Sequence, residues 1–233
     1  MQFTSEFFQP DTIPIIPAFA IGRAGEVIYW LKRLEDARHI PVLPVFVDSP
    51  MAARALAFYT ARIEELDPDM RPAARSVSTF ATTRMTTVAS PQQSKELVAS
   101  RRQAIVIASS GMATGGRVLH HLAATLPDPK NTVLFVGYQA AGTRGRLLVD
   151  GATEVRMKGR DVPVAARIER LDSMSAHADA NEIQRWLSGF SRPPAMTYLV
   201  HGEPPALEAL RRRVAEERHW PVHVPDYEER VEL

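Results

Sequence analysis

The chain has 233 residues, 45% hydrophobic and 24% charged, with a net charge of +1, which suits one large or two modest globular domains and neither requires nor forbids a nucleic-acid partner. The absence of cysteine excludes disulfides, thiolate metal sites and a thiol nucleophile. No apolar run reaches the roughly 18 residues of a membrane span, and the opening MQFTSEFFQPDTIP lacks the basic-then-apolar order of a secretory leader, so no membrane partner and a cytoplasmic location are expected.

After an opening with no clear period, residues 13–34 (IPIIPAFAIGRAGEVIYWLKRL) predict a strand, a glycine turn and a helix. PVLPVFVDSP (41–50) predicts a buried strand ending in a turn, and residues 51–66 a helix with Ala52, Ala55, Leu56, Tyr59, Ile63 and Leu66 on one face. Asp67 to Ser94 is rich in Pro, Ser, Thr and Arg and predicts a long irregular connection, with one short helix at most. Then come a strand (104–111), a helix (116–126), a strand (132–139) and an edge or bent strand (163–171). A helix over 181–190 has Asp179 or Asn181 to cap it. A strand (195–203), a helix opened by proline (205–219) and a last strand (221–227) complete the chain. Unbroken apolar strands alternating with helices predict an α/β class with a mainly parallel, helix-covered sheet.

The chain has seven histidines and no H-x-H pair. His120 and His121 are neighbours on a helix, so they point about 100° apart and cannot chelate together. His219 and His223 are separated by Pro221, which breaks a helical pair. With His39, these five read as surface or partly buried polar residues. His201 follows TYLV and precedes Gly202, at the C-terminal end of a strand, where open α/β sheets place their sites. Glu203 is then a candidate to support it. His177 lies just before a helix among small residues, with Ser175 and Asp179 near enough in sequence to orient or charge its ring. Taken alone, each reads more readily as an ordinary residue, His177 at a helix N-terminus and His201 in a turn.

ASSGMATGGRVLHHL (108–122) has the order of a phosphate cradle: apolar strand, glycine-rich turn, helix. Glycines let backbone approach an anion, and a helix N-terminus offers free N–H groups. Ser109, Ser110, Gly111, Gly115 and Gly116 are candidate phosphate contacts, and Arg117 can add a bidentate one. The turn matches neither G-x-x-x-x-G-K-[ST] nor G-x-G-x-x-G, so nucleoside-triphosphate and dinucleotide readings are poorly supported. GYQAAGTRGRLL (137–148) is a second glycine-rich turn. Both are also explained as tight strand-to-helix connections.

Six segments, in order, carry a resemblance: IPAFAIGRAGEVIYWL, VFVDSPMA, IASSGMATGGRVLHHL, NTVLFVGYQAAGTRGRLLVDG, SAHAD and LVHGE. Together they resemble the β-CASP branch of the metallo-β-lactamase fold, a family of RNA-processing nucleases. The resemblance implies a β-CASP domain over residues 1–172. Residues 173–233 would then be the C-terminal returning segment of the metallo-β-lactamase domain, its RNA-specificity region. By resemblance, His177 matches the histidine that contacts the scissile phosphate and assists acid–base chemistry, and His201 matches a ligand of one of two zinc ions. Two metals about 3.5–4 Å apart would activate water for in-line attack on an RNA phosphodiester. The family's H-x-H-x-D-H motif and further ligands are expected upstream of PAFAIGR, where this sequence has none. The chain alone is therefore expected to hold at most a partial zinc site and to be catalytically incomplete. It would then act with RNA as a homodimer or docked on a chain carrying the missing N-terminal half. A non-catalytic RNA-binding or partner subunit is the alternative, and a small-molecule-binding α/β domain a third.

Overall fold

The computed structural model describes residues 12–66, 79–175 and 177–231. The described chain divides into two compact units, with the break after Ser175.

The first unit begins with β1 (Pro14–Pro17), α1 (Arg23–Asp36), β2 (Val45–Asp48) and α2 (Pro50–Ala61). It continues with β3 (Met85–Thr87), α3 (Pro91–Ser100), β4 (Ile105–Ala108) and α4 (Val118–Thr125). β5 (Thr132–Val136), α5 (Arg144–Val149), β6 (Glu154–Met157), β7 (Arg160–Pro163) and β8 (Arg167–Leu171) follow. Among the described residues, six strands form one sheet in the order β3-β2-β4-β1-β5-β8. Every pairing in it is parallel, as the run of unbroken apolar strands predicts.

Alternation along the strands feeds two cores. On one face Ile16, Val45, Val47, Ile105, Ile107, Leu134 and Val136 pack against Val27, Ile28 and Leu31 of α1 and Leu56 of α2. On the other, Ile15, Val106, Val133 and Phe135 pack against Leu97 of α3, Val118 and Leu122 of α4 and Leu148 of α5. Both faces of the central strands are buried, so a polar residue there, such as Asp48 at the end of β2, must find partners within the protein.

The stretch expected to be irregular is not uniformly so. Residues 67–78 lie outside the described residues, but beyond them β3 adds to the sheet edge beside β2, and α3 begins at Pro91. A capping box starts that helix: Ser90 Oγ accepts from Gln93 N (3.1 Å), and Gln93 Oε1 accepts from Ser90 N (3.1 Å). β6 and β7 form an antiparallel hairpin that strand–helix alternation does not predict. Its turn has positive φ at Lys158 (52°) and Gly159 (79°), the sense that suits a tight two-residue hairpin.

In the second unit, α6 (Ala180–Leu187) and α7 (Pro204–Arg218) accompany two short parallel strands, β9 (Thr197–Tyr198) and β10 (Val222–His223). Both strands are shorter than expected. Leu187, Val214 and Trp220 form its small core, while Trp186, Met196 and Val200 stay exposed.

Candidate functional site

β1 and β4 are neighbours, yet the chain leaves β1 for β2 on one side and β4 for β5 on the other. Crossovers that part in this way leave a crevice at the C-terminal ends of the strands, where open α/β sheets bind ligands. Residues 109–117 fill that position as the connection from β4 to α4. The loop folds on itself through Ser110 N to Gly115 O (3.3 Å), Ala113 N to Ser110 O (3.2 Å) and Val118 N to Ser109 O (3.1 Å). Thr114 N donates to Ser110 Oγ (3.1 Å). Among the described residues, no hydrogen bond within the chain occupies the N–H groups of Gly111, Met112, Gly115, Gly116 or Arg117. These are the orphan donors of a helix start and the loop before it.

Two glycines are required by the geometry. At Gly116, φ is +76° and a Cβ would sit 2.6 Å from the carbonyl oxygen of Ser109. At Gly111 a Cβ would meet the Phe19 ring at 2.9 Å, which packs the loop after β1 against this one. Gly115 has nothing within 4 Å of its Cβ position.

The Arg117 guanidinium is engaged within the protein. Its Nη1 donates to Asp48 Oδ1 (2.8 Å) and to the carbonyl of Val88 (3.1 Å). Asp48, at the end of β2, is fully buried. Its other oxygen accepts from Ser94 Oγ (2.6 Å) and from His121 Nε2 (2.7 Å). Burial alone would raise this carboxyl. Hydrogen bonds from His121, Ser94 and Arg117, with the charge of His121, overcome that effect and hold Asp48 below the usual aspartate range. The next residue, Ser49, caps α2 and receives a hydrogen bond from Ser109 Oγ (3.0 Å). The DS pair at the end of β2 therefore ties the cradle to α2, α3 and α4. Adjacent histidines hid this hub: His120 is exposed, but His121 is 3% exposed and part of the ion-pair cluster.

Arg144 is committed too, to the carbonyls of Arg156 (2.6 Å) and Thr114 (3.1 Å), and so braces the cradle. Arg146 pairs with Asp150 (2.7 Å).

His177 and His201 both belong to the second unit and both are exposed. His177 stands shortly before α6. The Asp179 carboxylate there is used as a helix cap, accepting from Asn181 N and Glu182 N (both 2.8 Å), while Glu182 reaches back to Asp179 N (2.9 Å). His201 has φ of 63° in the turn between β9 and α7. Glu203 is the residue before α7, and its carbonyl accepts from Ala206 N and Leu207 N. Ser175 is exposed at the end of the first unit.

An open, wholly parallel six-stranded sheet with a glycine-rich loop after β4 defines an α/β domain, and comparison with known proteins makes the class specific. Residues 24–148 match the Beta-Casp domain family, and residues 161–225 match the Zn-dependent metallo-hydrolase RNA specificity domain. The chain belongs to the β-CASP family. It is 35% identical over 202 residues to Ribonuclease TTHA0252 of Thermus thermophilus, covering 86% of this chain and 46% of that protein. It is 34% identical over 197 residues to Transcription termination factor FttA of Pyrococcus horikoshii, covering 82% of this chain and 30% of that protein. An RNase J-like protein of Methanocaldococcus jannaschii is 31% identical over 190 residues, 81% of this chain and 42% of that one. The chain thus spans less than half the length of these relatives.

Among the described residues, no three His, Asp or Glu side chains gather so as to hold a metal ion. By themselves they do not fit the zinc that the second family's description implies, since a catalytic zinc takes about three protein ligands. Among the described residues no helix is long and apolar enough to cross a membrane.

Proposed function

We propose that the chain is the RNA-gripping part of a zinc-dependent ribonuclease, with residues 1–172 as the β-CASP domain and 173–233 as the RNA-specificity segment. The observation that carries this reading is the 109–117 loop. Among the described residues the N–H groups of Gly111, Met112, Gly115, Gly116 and Arg117 have no partner within the chain, and Gly116 and Gly111 hold the loop in a shape no side chain permits. Such a loop suits a phosphate group. In this reading Ser109, Ser110, Gly111, Gly115 and Gly116 shape or contact the phosphate, and Arg117 holds the loop's end rather than the ligand. His177 contacts the scissile phosphate, with Ser175 and Asp179 around it. His201 is a metal ligand supported by Glu203. The remaining ligands come from outside the described residues, so the pure chain binds RNA but does not cleave it.

The test is binding and cleavage of a single-stranded RNA by the pure chain, with and without added zinc. Expected are salt-sensitive binding and no cleavage. Metal-dependent cleavage together with stoichiometric tight zinc would overturn the incompleteness. Free nucleotides competing as well as RNA would overturn the polynucleotide reading in favour of a small-molecule site.

A further inference from the structure

Away from the cradle glycines, cationic side chains collect between α3 and α4. Pro91, Ser94, Lys95, Val98, Arg117 and His120 line a groove of about 240 Å³. The β6–β7 turn brings Lys158 to its edge, with Nζ 2.7 Å from the His120 ring. The positive φ at Lys158 is that of the two-residue hairpin turn, which holds this lysine beside α4.

The charges acting on His120 are lopsided. Burial is the largest influence that lowers its pKa. Lys158, His121 and Lys95 lower it further, and Asp48 alone opposes them. Asp48 is fully buried, and its two oxygens are taken by Arg117, Ser94 and His121. On α3 the nearby Glu96 is exposed and accepts from Gln92 Nε2 (2.9 Å). Lys95 and Lys158 therefore bring charge of one sign to the surface around His120, with the acid turned inward.

The groove lies on one side of Arg117, and a second depression next to the cradle, bounded by Ser49, Met51, Arg54, Ser109 and Gly116, also borders this residue. Arg54 at the cradle depression, Lys95 in the groove and Lys158 beside His120 are the cations along this side, while Arg117, which borders both depressions, is already paired with Asp48. Cations spaced along a groove suit a chain of phosphates, whereas a single small anion would need only one such spot.

We propose that the α3–α4 groove is a second phosphate-binding stretch, taking a backbone phosphodiester of the RNA strand whose first phosphate sits in the cradle. This rests on the RNA reading above. It assigns Lys95 and Lys158 to a contact that only a longer strand reaches, with the His120 ring beside them.

The experiment compares a dinucleotide with a dodecamer RNA by fluorescence anisotropy across a salt series, on the full chain and on Lys95→Gln/Lys158→Gln. Each lost single-strand contact removes about 0.7 from the slope of log affinity against log salt. Two lost contacts therefore weaken the dodecamer roughly 25-fold at about 0.1 M salt and flatten the slope by about 1.4. Dinucleotide affinity stays unchanged, and His120 in the parent protein titrates at higher pH once the dodecamer is bound. Dodecamer affinity and slope unchanged in the double variant would overturn the groove. Polyglutamate competing as well as RNA of equal charge would also overturn it, in favour of an acidic protein. Gly116→Ala, tested on the dinucleotide, separates the two ideas. If it has no effect the cradle reading fails, whatever the double variant does to the dodecamer.

Discussion

Replacing Asp48 with alanine tests the structural logic of the first unit most directly. The carboxylate is fully buried and accepts from Ser94, His121 and Arg117 at 2.6, 2.7 and 2.8 Å. Removing one partner of a buried ion pair costs about 3–5 kcal/mol, because the opposite charge is left without compensation. Here the penalty is tempered at one end and not at the other. The Arg117 side chain is 21% exposed and keeps the Val88 carbonyl, whereas His121 is 3% exposed. The expected loss is about 3–4 kcal/mol, or roughly 10 °C in the melting temperature for a unit of this size. Asparagine should rescue part of the loss, because its Oδ1 can accept from Arg117 while its NH2 faces Ser94 Oγ and His121 Nε2, both able to accept.

Thermal unfolding followed by circular dichroism measures the effect, and its pH dependence adds a second check. The folded-state pKa of Asp48 lies below its ordinary value. Its stabilisation is therefore fully present above the unfolded aspartate pKa of about 3.9 and is lost as pH falls through the lower folded value. The gap between parent and variant should hold at neutral pH and close only in acid. A loss under about 1 kcal/mol at neutral pH, or a gap that closes near pH 7, would refute the hub.

Four further outcomes are expected. Gly116→Ala should cost more than about 1 kcal/mol through its positive φ and the Ser109 carbonyl, while Gly115→Ala should be neutral or slightly stabilising; equal melting temperatures would remove the constraint argued for the loop. Ser90→Ala should destabilise the first unit by about 1 kcal/mol through the lost capping box, read by urea unfolding. Asp179→Ala should fray α6 at a similar cost, and Asp179→Asn should restore it; if asparagine fails to restore helicity, the carboxylate serves more than the cap. Lys158→Met should let the His120 ring titrate closer to its ordinary value of about 6.5, since one lowering charge is gone, and NMR of the ring would show no shift if Lys158 were turned away in solution.

Local pattern made most of the sheet legible. VFVD, IVIA and TVLFV are apolar runs too short for helices, each leading to a helix, and each is a buried parallel strand. The cradle was legible for the same reason: strand, glycines and helix are contiguous. The helix at 91–100 was hidden by the polar stretch before it, although S-P-Q-Q carries the capping-box spacing. β3 has only three residues and gains its identity from pairing with β2, which no local window contains. Asp48 was invisible as a hub because its partners Ser94, Arg117 and His121 lie 46, 69 and 73 residues away.

The pairing of Arg117 with Asp48 bears on the expected physics of binding. A cradle that grips through N–H dipoles neutralises little charge, whereas lysines in the α3–α4 groove neutralise phosphates outright. Counterion release follows the neutralised charges. A dinucleotide confined to the cradle should therefore bind with a shallow salt dependence, and each nucleotide added toward Lys95 and Lys158 should steepen it. Had Arg117 been the phosphate ligand, the shortest RNA would already show most of the slope. A length series at several salt concentrations distinguishes the two, and a steep slope for the dinucleotide would return Arg117 to the ligand and require its ion pair with Asp48 to open.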